Sequence, residues 1–385
     1  MTVTSMHIPV DQEFAAALDA EVPQSRSIDN LTAVQVQLLF DRGLFWLQVP
    51  RCLGGGEADA DVAFSSYESL ARIDGSLAWT VMATAHTTAM MGAYLGDNAV
   101  ADIFASPRAL SAGQLAPRGT AIREGNSFRI RGEFGFASGS SHASWLMGGY
   151  REITQSGETV RDSTGRPTII VAVVPRSAAV LSNDWNVLGL KATRSVDYVV
   201  PEQVVDVEYT WELGSGQPLR GGSMYGIGPF GLGCIAHSSF SVGVARRALD
   251  EIAHMARTKR RAGRPVLVED PVFQTEYGKY EALLGSARAY AIETICALQD
   301  AATRDAVEPQ HRGRARLATS HSARTGFEAT EFAHRYAGSA GLRNGSTVQQ
   351  CFRDISASEA HVFTDHNSWA DAAAAILTGK SSPYQ

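Results

Sequence analysis

The spacing of hydrophobic and polar residues changes twice along the chain. Up to about Ala105, apolar residues recur every three or four positions, for example in 34–47 and 61–72, which predicts helices. The segment that begins at Ser76 is apolar on nearly every side, which predicts a helix buried in the core. The first part of the chain is therefore predicted to be a helical domain.

Between about 110 and 209 the spacing becomes that of β-strands. Phe128 and Ile130 alternate with Arg129 and Arg131, as in a half-buried strand. Residues 168–174 form an apolar, largely β-branched run typical of a fully buried strand, and 205–209 alternate again. Residues 155–167 are polar and contain glycine and proline, which indicates an exposed hairpin loop.

After a glycine-rich stretch at 214–233, helical spacing returns and continues to the end. Four amphipathic segments, at about 240–255, 277–298, 312–338 and 347–377, predict an up-down helix bundle. The fold is therefore predicted to be mainly α with a central β domain. The predicted divisions are an N-terminal helical domain at 1–109, a small β-barrel at 110–213 and a four-helix bundle at 214–385.

Composition and charge exclude several functions. The 385 residues are 44% hydrophobic and 19% charged, and the net charge of −6 disfavours a nucleic-acid partner. No signal peptide is visible, and no apolar run is expected to reach membrane-spanning length. The four cysteines are scattered, so neither a disulfide nor a metal site is predicted. We expect a cytoplasmic protein.

Candidate chemistry centres on residues 133–145. Here small residues and hydroxyls, at 137–141, lie beside Phe134, Phe136 and Trp145. Small residues let a backbone approach a flat ligand closely, and hydroxyl and N–H groups can bond its ring heteroatoms. The same composition is also typical of an ordinary β-turn. The stretch on its own leaves both interpretations open.

The order of helical domain, β domain and bundle resembles the acyl-CoA dehydrogenase fold. Short segments support the resemblance along most of the chain, namely VPRCLGGG at 49–56, FASG at 136–139, GLKATRS at 189–195, YAGSAG at 336–341 and FRD at 352–354. In most such dehydrogenases a glutamate upstream of the Arg-Asp pair removes the substrate proton. Gly345 stands at that position here, and glycine cannot act as a base.

The segment RDISASEAH at 353–361 instead resembles the oxygenase components of two-component flavin-dependent monooxygenases, as do 136–142 and 73–79. The resemblance implies reduced FAD, or FMN, as cofactor and O2 as co-substrate. It also implies hydroxylation of a phenol- or indole-like aromatic substrate through a flavin C4a-hydroperoxide. No GxGxxG motif follows a strand, so a separate reductase is expected to supply reduced flavin.

The resemblance also implies roles for individual residues. Ser138 and His361 are the expected catalytic residues, Ser138 beside flavin N5 and His361 in proton transfer with substrate or peroxide, with His366 as a competing choice for the latter. The expected substrate contacts are His86, Ser111, Trp79 and Met82. The expected flavin contacts are Phe136, Ser138, Gly139, Ser141, Arg257 and Arg261. The arginines, from the basic cluster at 257–264, are expected to reach the flavin phosphate of a neighbouring subunit in a homotetramer.

Other interpretations stay open. A lone histidine in an apolar helix is often a hydrogen-bonded core residue, and large apolar side chains are more often core than pocket wall. A dehydrogenase-like enzyme with its base on another helix would explain the fold without oxygen chemistry. Oxidation at nitrogen or sulfur belongs to the same branch of the family as aromatic hydroxylation.

Overall fold

The computed structural model describes residues 10–214, 217–260 and 263–380. Five helices come first, at α1 (Gln12–Ser27), α2 (Ala33–Asp41), α3 (Ala60–Ala71), α4 (Gly75–Tyr94) and α5 (Asp97–Phe104). The predicted helix at 34–47 is shorter than expected because Gly43 has a left-handed φ of 71° and is followed by a short 3-10 turn. Helix α4 is buried along nearly its whole length, as its apolar pattern predicts.

The β region forms one seven-stranded mixed sheet. Its strands are β1 (Ser111–Glu124), β2 (Ser127–Ala137), β3 (Trp145–Glu152), β4 (Ile169–Pro175), β5 (Val180–Leu181), β6 (Val196–Asp206) and β7 (Thr210–Glu212). They are hydrogen-bonded in the order β5-β6-β2-β1-β3-β4-β7, and only the β1–β3 pair is parallel. The inward side chains Phe128, Ile130, Phe134, Tyr150 and Tyr198 build a separate hydrophobic core for this region.

Within 217–260 and 263–380, five helices follow the sheet, at α6 (Gly228–Ala256), α7 (Pro271–Thr303), α8 (Pro309–Ala337), α9 (Thr347–Ser358) and α10 (Ser368–Thr378). Helix α6 is central and packs against α3, α7, α8 and α9. Residues 223–256 are long and apolar enough to cross a membrane, contrary to the expectation that no apolar run has that length. Because 89% of its most apolar window is buried inside the protein, it is the core helix of the bundle.

Three further predicted boundaries were wrong. The expected strand at 205–209 ends at Asp206, whose side chain accepts a hydrogen bond from the Glu208 N–H and starts a 3-10 turn. The glycine-rich stretch at 214–233 is not all linker, because α6 already begins at Gly228. The expected helix at 347–377 is two helices, separated by the turn at 359–367 that carries His361.

Candidate active site

Three of the quoted sequence segments meet in one chain of hydrogen bonds. Trp79 Nε1 on α4 donates to Ser138 Oγ at 3.1 Å, just beyond the end of β2. Ser138 Oγ lies 2.7 Å from Ser195 Oγ, which lies 2.6 Å from Thr193 Oγ1. Thr193 Oγ1 then donates to the Leu190 carbonyl at 2.7 Å. We call these four side chains, Trp79, Ser138, Ser195 and Thr193, the hydroxyl chain.

Asp354 of the Arg-Asp pair anchors the far end of the hydroxyl chain. Its Oδ1 accepts from the Leu190 N–H at 2.6 Å and from Gln350 Nε2 at 2.8 Å. Burial, and after it the negative charge of Asp74, raises the pKa of Asp354 to about 7. Asp74 caps α4 through the Leu77 N–H, so the helix that carries Trp79 starts beside this anchor. The carboxyl group thus joins the bundle to the turn at 189–195.

The turn after β2 presents backbone and small side chains. Phe136 is 69% exposed and has a left-handed φ of 60°, which is unusual for a residue with a side chain. Gly139 donates its N–H to the Thr193 carbonyl at 3.0 Å. A Cβ on Gly139 would lie 2.5 Å from Thr84 Cγ2, so glycine is required for the turn to approach α4. Ser141 is half-buried in the same turn.

A cluster of aromatic rings lies on the other side of Trp79, and we call it the histidine cluster. His237 stacks on His361 with ring centroids 4.2 Å apart and on Phe363 with centroids 5.0 Å apart. Trp79 packs edge-on against His237 at 5.1 Å and against His361 at 5.6 Å. His86, on α4, influences the pKa of His237 through its charge, and we include it as the cluster's third histidine.

All three histidines are neutral at neutral pH. Burial lowers the pKa of His86 and of His361 to about 4. The pKa of His237 lies well below its ordinary value through burial and then through the charges of the other two histidines. An imidazole ordinarily titrates near neutrality, which was the reason to expect proton transfer by His361 without an extreme pKa shift. The assumed pKa was wrong, because the surrounding protein disfavours the charged form of His361.

The hydrogen bonds of the rings assign their tautomers. His86 donates to the Pro229 carbonyl, and because its Nε2 has no partner, the donor is Nδ1. His86 Nε2 therefore carries a free lone pair. His361 Nδ1 accepts from the Phe363 N–H at 3.4 Å, so the proton of the neutral ring is on Nε2. The buried Nδ1 of His237 also has no partner. The cluster thus offers an acceptor at His86 Nε2, an unpartnered nitrogen at His237 Nδ1 and an N–H at His361 Nε2.

The remaining predicted substrate contacts lie on or against α4. Met82 is buried, within one helical turn of Trp79. Ser111 is fully buried, but its backbone is bonded to α4, with its N–H donating to Thr88 Oγ1 at 2.9 Å and its carbonyl accepting from Thr87 Oγ1 at 2.8 Å. These bonds give Ser111 a role in joining β1 to α4, and they do not bring it into the histidine cluster.

The predicted phosphate-binding arginines lie far from the cluster. Arg257 is exposed just after the end of α6, roughly 30 Å along the helix from His237 at about 1.5 Å per residue. Arg261 lies outside the described residues. Within one subunit Arg257 does not reach the histidine cluster, so its predicted role requires a second copy of the chain.

A surface cavity of about 380 Å³ lies elsewhere, at the proline and glycine turn of the first domain. Its lining includes Phe40, Arg42, Trp46 and Pro107 and the glycines at 54–56. It shares no residue with the hydroxyl chain or the histidine cluster and lacks their polar groups. Across 10–214, 217–260 and 263–380, no group of three histidine, cysteine or acidic side chains is arranged to hold a metal ion.

Sequence reasoning missed His237, Thr193, Ser195 and Thr80. His237 shares the signal that selected His86, since both are histidines in an apolar helix. Thr193 and Ser195 stood within a quoted motif, but no role was assigned to them. Thr80 becomes noticeable only in three dimensions, where it has a buried hydroxyl without a partner, as does Ser140 of the predicted hydroxyl run at 137–141.

These unpartnered groups fit a flat, polar ring system such as an isoalloxazine. Thr80 Oγ1, Ser140 Oγ and His142 Nε2 are buried without hydrogen-bond partners, and all belong to the turn after β2 or to the helix beneath it. A Cβ on Gly139 would lie 3.1 Å from Thr80 Cγ2, which shows how closely the turn and helix meet. Buried polar atoms are normally paired, so their concentration here favours a ligand that pairs them.

Comparisons with known proteins agree with this interpretation. Residues 235–366 match the family profile "Acyl-CoA dehydrogenase, C-terminal domain". The chain is 29% identical to indole-3-acetate monooxygenase of Pseudomonas putida over 344 residues, covering 89% of this chain and 86% of that protein. It is 25% identical to the FADH2-dependent resorcinol hydroxylase, oxygenase component, of Rhizobium sp., covering 93% of this chain and 91% of that protein.

A solved structure gives the same fold. XiaF from Streptomyces sp., in complex with FADH2 and glycerol, superposes with a TM-score of 0.83 at 19% identity and covers 94% of this chain and 92% of its own. The predicted architecture of helical domain, β domain and helical bundle is thereby confirmed.

Proposed function

We propose, from the premise that this chain belongs to the flavin-dependent monooxygenases of the acyl-CoA dehydrogenase fold, that it is the oxygenase component of a two-component system. It takes reduced FAD or FMN from a separate reductase, together with O2. It inserts one oxygen atom into an aromatic or heteroaromatic substrate of the phenol or indole type. The names of the resorcinol and indole-3-acetate relatives support this substrate class.

One observation carries the proposal. Its support is the buried, unpartnered His86 Nε2 and the N–H that remains on His361 Nε2, beside aromatic rings that adjoin the hydroxyl chain through Trp79. An apolar aromatic wall with one acceptor and one donor suits a flat substrate that carries a hydroxyl or ring N–H group.

Each group has a defined task in this proposal. His86 Nε2 accepts a hydrogen bond from the substrate hydroxyl or ring N–H, which makes the ring more electron-rich. His361 Nε2–H donates to an oxygen atom in the site. Bound reduced flavin supplies the electrons that activate oxygen, and the turn at 136–141 with Ser138 holds its ring. Trp79, Met82 and Phe363 keep water away from the reacting atoms.

The rings of Trp79, His237, His361 and Phe363 are in contact, so substrate binding requires some of them to move. His361 and Phe363 both lie in the turn between α9 and α10 rather than within a helix. A displacement of this turn opens the space beside His86 without unfolding a helix. We therefore assign substrate entry to the turn at 359–367.

The homotetramer, the phosphate contacts of Arg257 and Arg261 in a neighbouring subunit and the cytoplasmic location are also proposals. The exposed position of Arg257, distant from its own subunit's cluster, supports the intersubunit contact. Light scattering should give a mass near four chains, and a monomer would contradict this part of the proposal.

Isotope labelling tests the reaction. The protein is mixed without air with chemically reduced FAD or FMN and with indole or phenol, and ¹⁸O2 is then admitted. We expect product that contains one ¹⁸O atom, and flavin reoxidation slower than that of free flavin. Reoxidation at the free rate without labelled product from either substrate contradicts the proposal. Bleaching of bound oxidised FAD by an acyl-CoA would instead establish the dehydrogenase alternative.

A further inference from the structure

We infer that the hydroxyl chain fixes Ser138 Oγ as a hydrogen-bond acceptor toward the flavin, so that Thr193 and Ser195 act as positioning residues that make the site prefer reduced flavin. The inference rests on the proposed function, because it places the flavin N5 beside Ser138. It assigns a function to two buried hydroxyls that do not themselves touch the flavin.

The direction of the hydrogen bonds follows from counting protons. Each hydroxyl has one proton to donate. Thr193 gives its proton to the Leu190 carbonyl at 2.7 Å, so in its 2.6 Å contact with Ser195 it can only accept. Ser195 must then donate to Thr193, and its own 2.7 Å contact with Ser138 requires Ser138 to donate. All three bonds form together in this arrangement alone.

Ser138 therefore has no proton left. Its single proton points to Ser195, and it already accepts one hydrogen bond from Trp79 Nε1 at 3.1 Å. What remains is one lone pair, which can receive a hydrogen bond but cannot make one. Ser138, Ser195 and Thr193 are 8%, 3% and 1% exposed, so solvent does not readily replace a partner within the chain.

The two redox states of flavin differ at N5. Reduced isoalloxazine carries a hydrogen on N5 and is a donor, whereas oxidised isoalloxazine has a lone pair there and is an acceptor. A Ser138 Oγ that can only accept pairs with the reduced form and opposes the oxidised form with a second lone pair. Hydrogen bonds to ring nitrogens are one of the means by which proteins tune a cofactor.

The test compares flavin affinities rather than turnover. Dissociation constants of the full-length protein for oxidised and for chemically reduced FAD are measured without oxygen, by fluorescence and by calorimetry, and their ratio is taken. In Ser195→Ala the proton of Ser138 is released and can turn to an oxidised N5. The ratio of oxidised to reduced dissociation constants should therefore fall about tenfold, the effect of one hydrogen bond of about 1.4 kcal/mol.

Three further variants make the test specific. Thr193→Val removes the acceptor for Ser195 and should lower the ratio as Ser195→Ala does, which keeps the test available if either variant folds poorly. Thr193→Ser keeps the hydroxyl and should preserve the ratio. Ser66→Ala removes a buried hydroxyl on α3, bonded to the Val62 carbonyl, and should also leave the ratio unchanged.

The outcomes separate this inference from the function on which it rests. A lowered ratio in Ser195→Ala and Thr193→Val, with the wild-type ratio in Thr193→Ser, supports it. A wild-type protein that binds reduced flavin while both variants keep its ratio overturns the inference alone. A wild-type protein that binds neither form overturns the proposed function and this inference together.

Discussion

The hydroxyl chain and the histidine cluster meet at Trp79, but the polar groups of the first are hydrogen-bonded and several of the second are not. Every hydroxyl of the chain donates one hydrogen bond and accepts at least one, and the chain ends on the backbone at Leu190. In the histidine cluster, His86 Nε2 and His237 Nδ1 are buried and have no partner. The geometry of the hydroxyl chain is therefore fixed before any ligand binds. The histidine cluster still has polar atoms that can form hydrogen bonds with a ligand.

This difference has an energetic side. A buried polar group without a partner costs about 1–3 kcal/mol, so proteins keep few of them. Burial lowers the pKa values of the histidines and so keeps their rings neutral. A neutral ring costs less to bury than a charged one. We interpret the hydroxyl chain as the part that positions the cofactor and the histidine cluster as the part that receives the substrate.

Replacement of His86 should impair the function of the histidine cluster more than any other change. His86→Phe keeps an aromatic ring of similar size but removes the free acceptor nitrogen. Product formed per flavin oxidised should fall roughly 100-fold, the scale for loss of one positioned hydrogen-bonding group in an active site, and hydrogen peroxide should appear instead. Product and peroxide are measured in single turnovers with reduced flavin.

Two variants control this experiment. His86→Gln retains an acceptor atom and should recover part of the product yield. His254→Ala removes an exposed histidine of α6 and should have no effect. A His86→Phe protein with the wild-type yield would remove His86 from the mechanism.

The contrast between the two regions also explains what the sequence could predict. The helices, the strands and the three-part order follow from periodicity, because each element buries one face or, for α4, all faces. Ser138 and the Arg-Asp pair could be selected as short motifs. Their connection could not, because Asp354 and Leu190 are 164 positions apart, and only the packed fold shows that the two are bonded.

The histidine cluster was less predictable for another reason. His237 belongs to α6, whose apolar spacing gives no sign that this side chain stacks on His361 from a turn more than a hundred residues later. The break at Ser358 that creates this turn was missed, because amphipathic spacing continues across it. The tautomers depend on individual backbone contacts that no sequence pattern encodes.

Loss of Asp354 should remove the anchor of the hydroxyl chain. Asp354→Ala leaves the Leu190 N–H and the Gln350 amide without their acceptor and should lower the free energy of unfolding by about 3 kcal/mol. Urea unfolding at pH 5 measures the change. The matched variant Asp270→Ala removes only a helix cap on α7 and should cost about 1 kcal/mol.

The loss of stability caused by Asp354→Ala should become smaller as the pH rises. The folded-state pKa of Asp354 is raised from 3.8 to about 7, so its protonated form is the favoured one in the folded protein. The stability that it contributes is fully present below pH 3.8 and is lost as the pH rises through about 7. Asp354→Ala should therefore cost less at pH 8 than at pH 5, and an equal or larger cost at pH 8 would contradict this.

Two helical glycines give a matched test of packing in the histidine cluster. A Cβ at Gly233 would lie 2.3 Å from Phe363 Cζ, whereas a Cβ at Gly285 would meet nothing within 4 Å. Gly233→Ala should displace Phe363 and lower the free energy of unfolding by about 2 kcal/mol. Gly285→Ala should raise it by up to about 1 kcal/mol through helix propensity. Thermal unfolding of both variants decides, and equal effects would refute the close packing of Phe363 on α6.

The smallest expected effect compares the pH dependence of the two regions directly. The pKa of His237 is lowered well below 6.5, so its neutral ring contributes stability above pH 6.5 that is lost as the pH falls below that value. This sign is opposite to that of Asp354. His237→Phe keeps the ring stack on Phe363 but cannot be protonated. Between pH 7.5 and 5.5 it should lose about 1 kcal/mol less stability than the wild type, as measured by urea unfolding. An equal acid-induced loss of stability in both proteins would contradict this prediction. It would mean that the protein does not disfavour the charged form of His237.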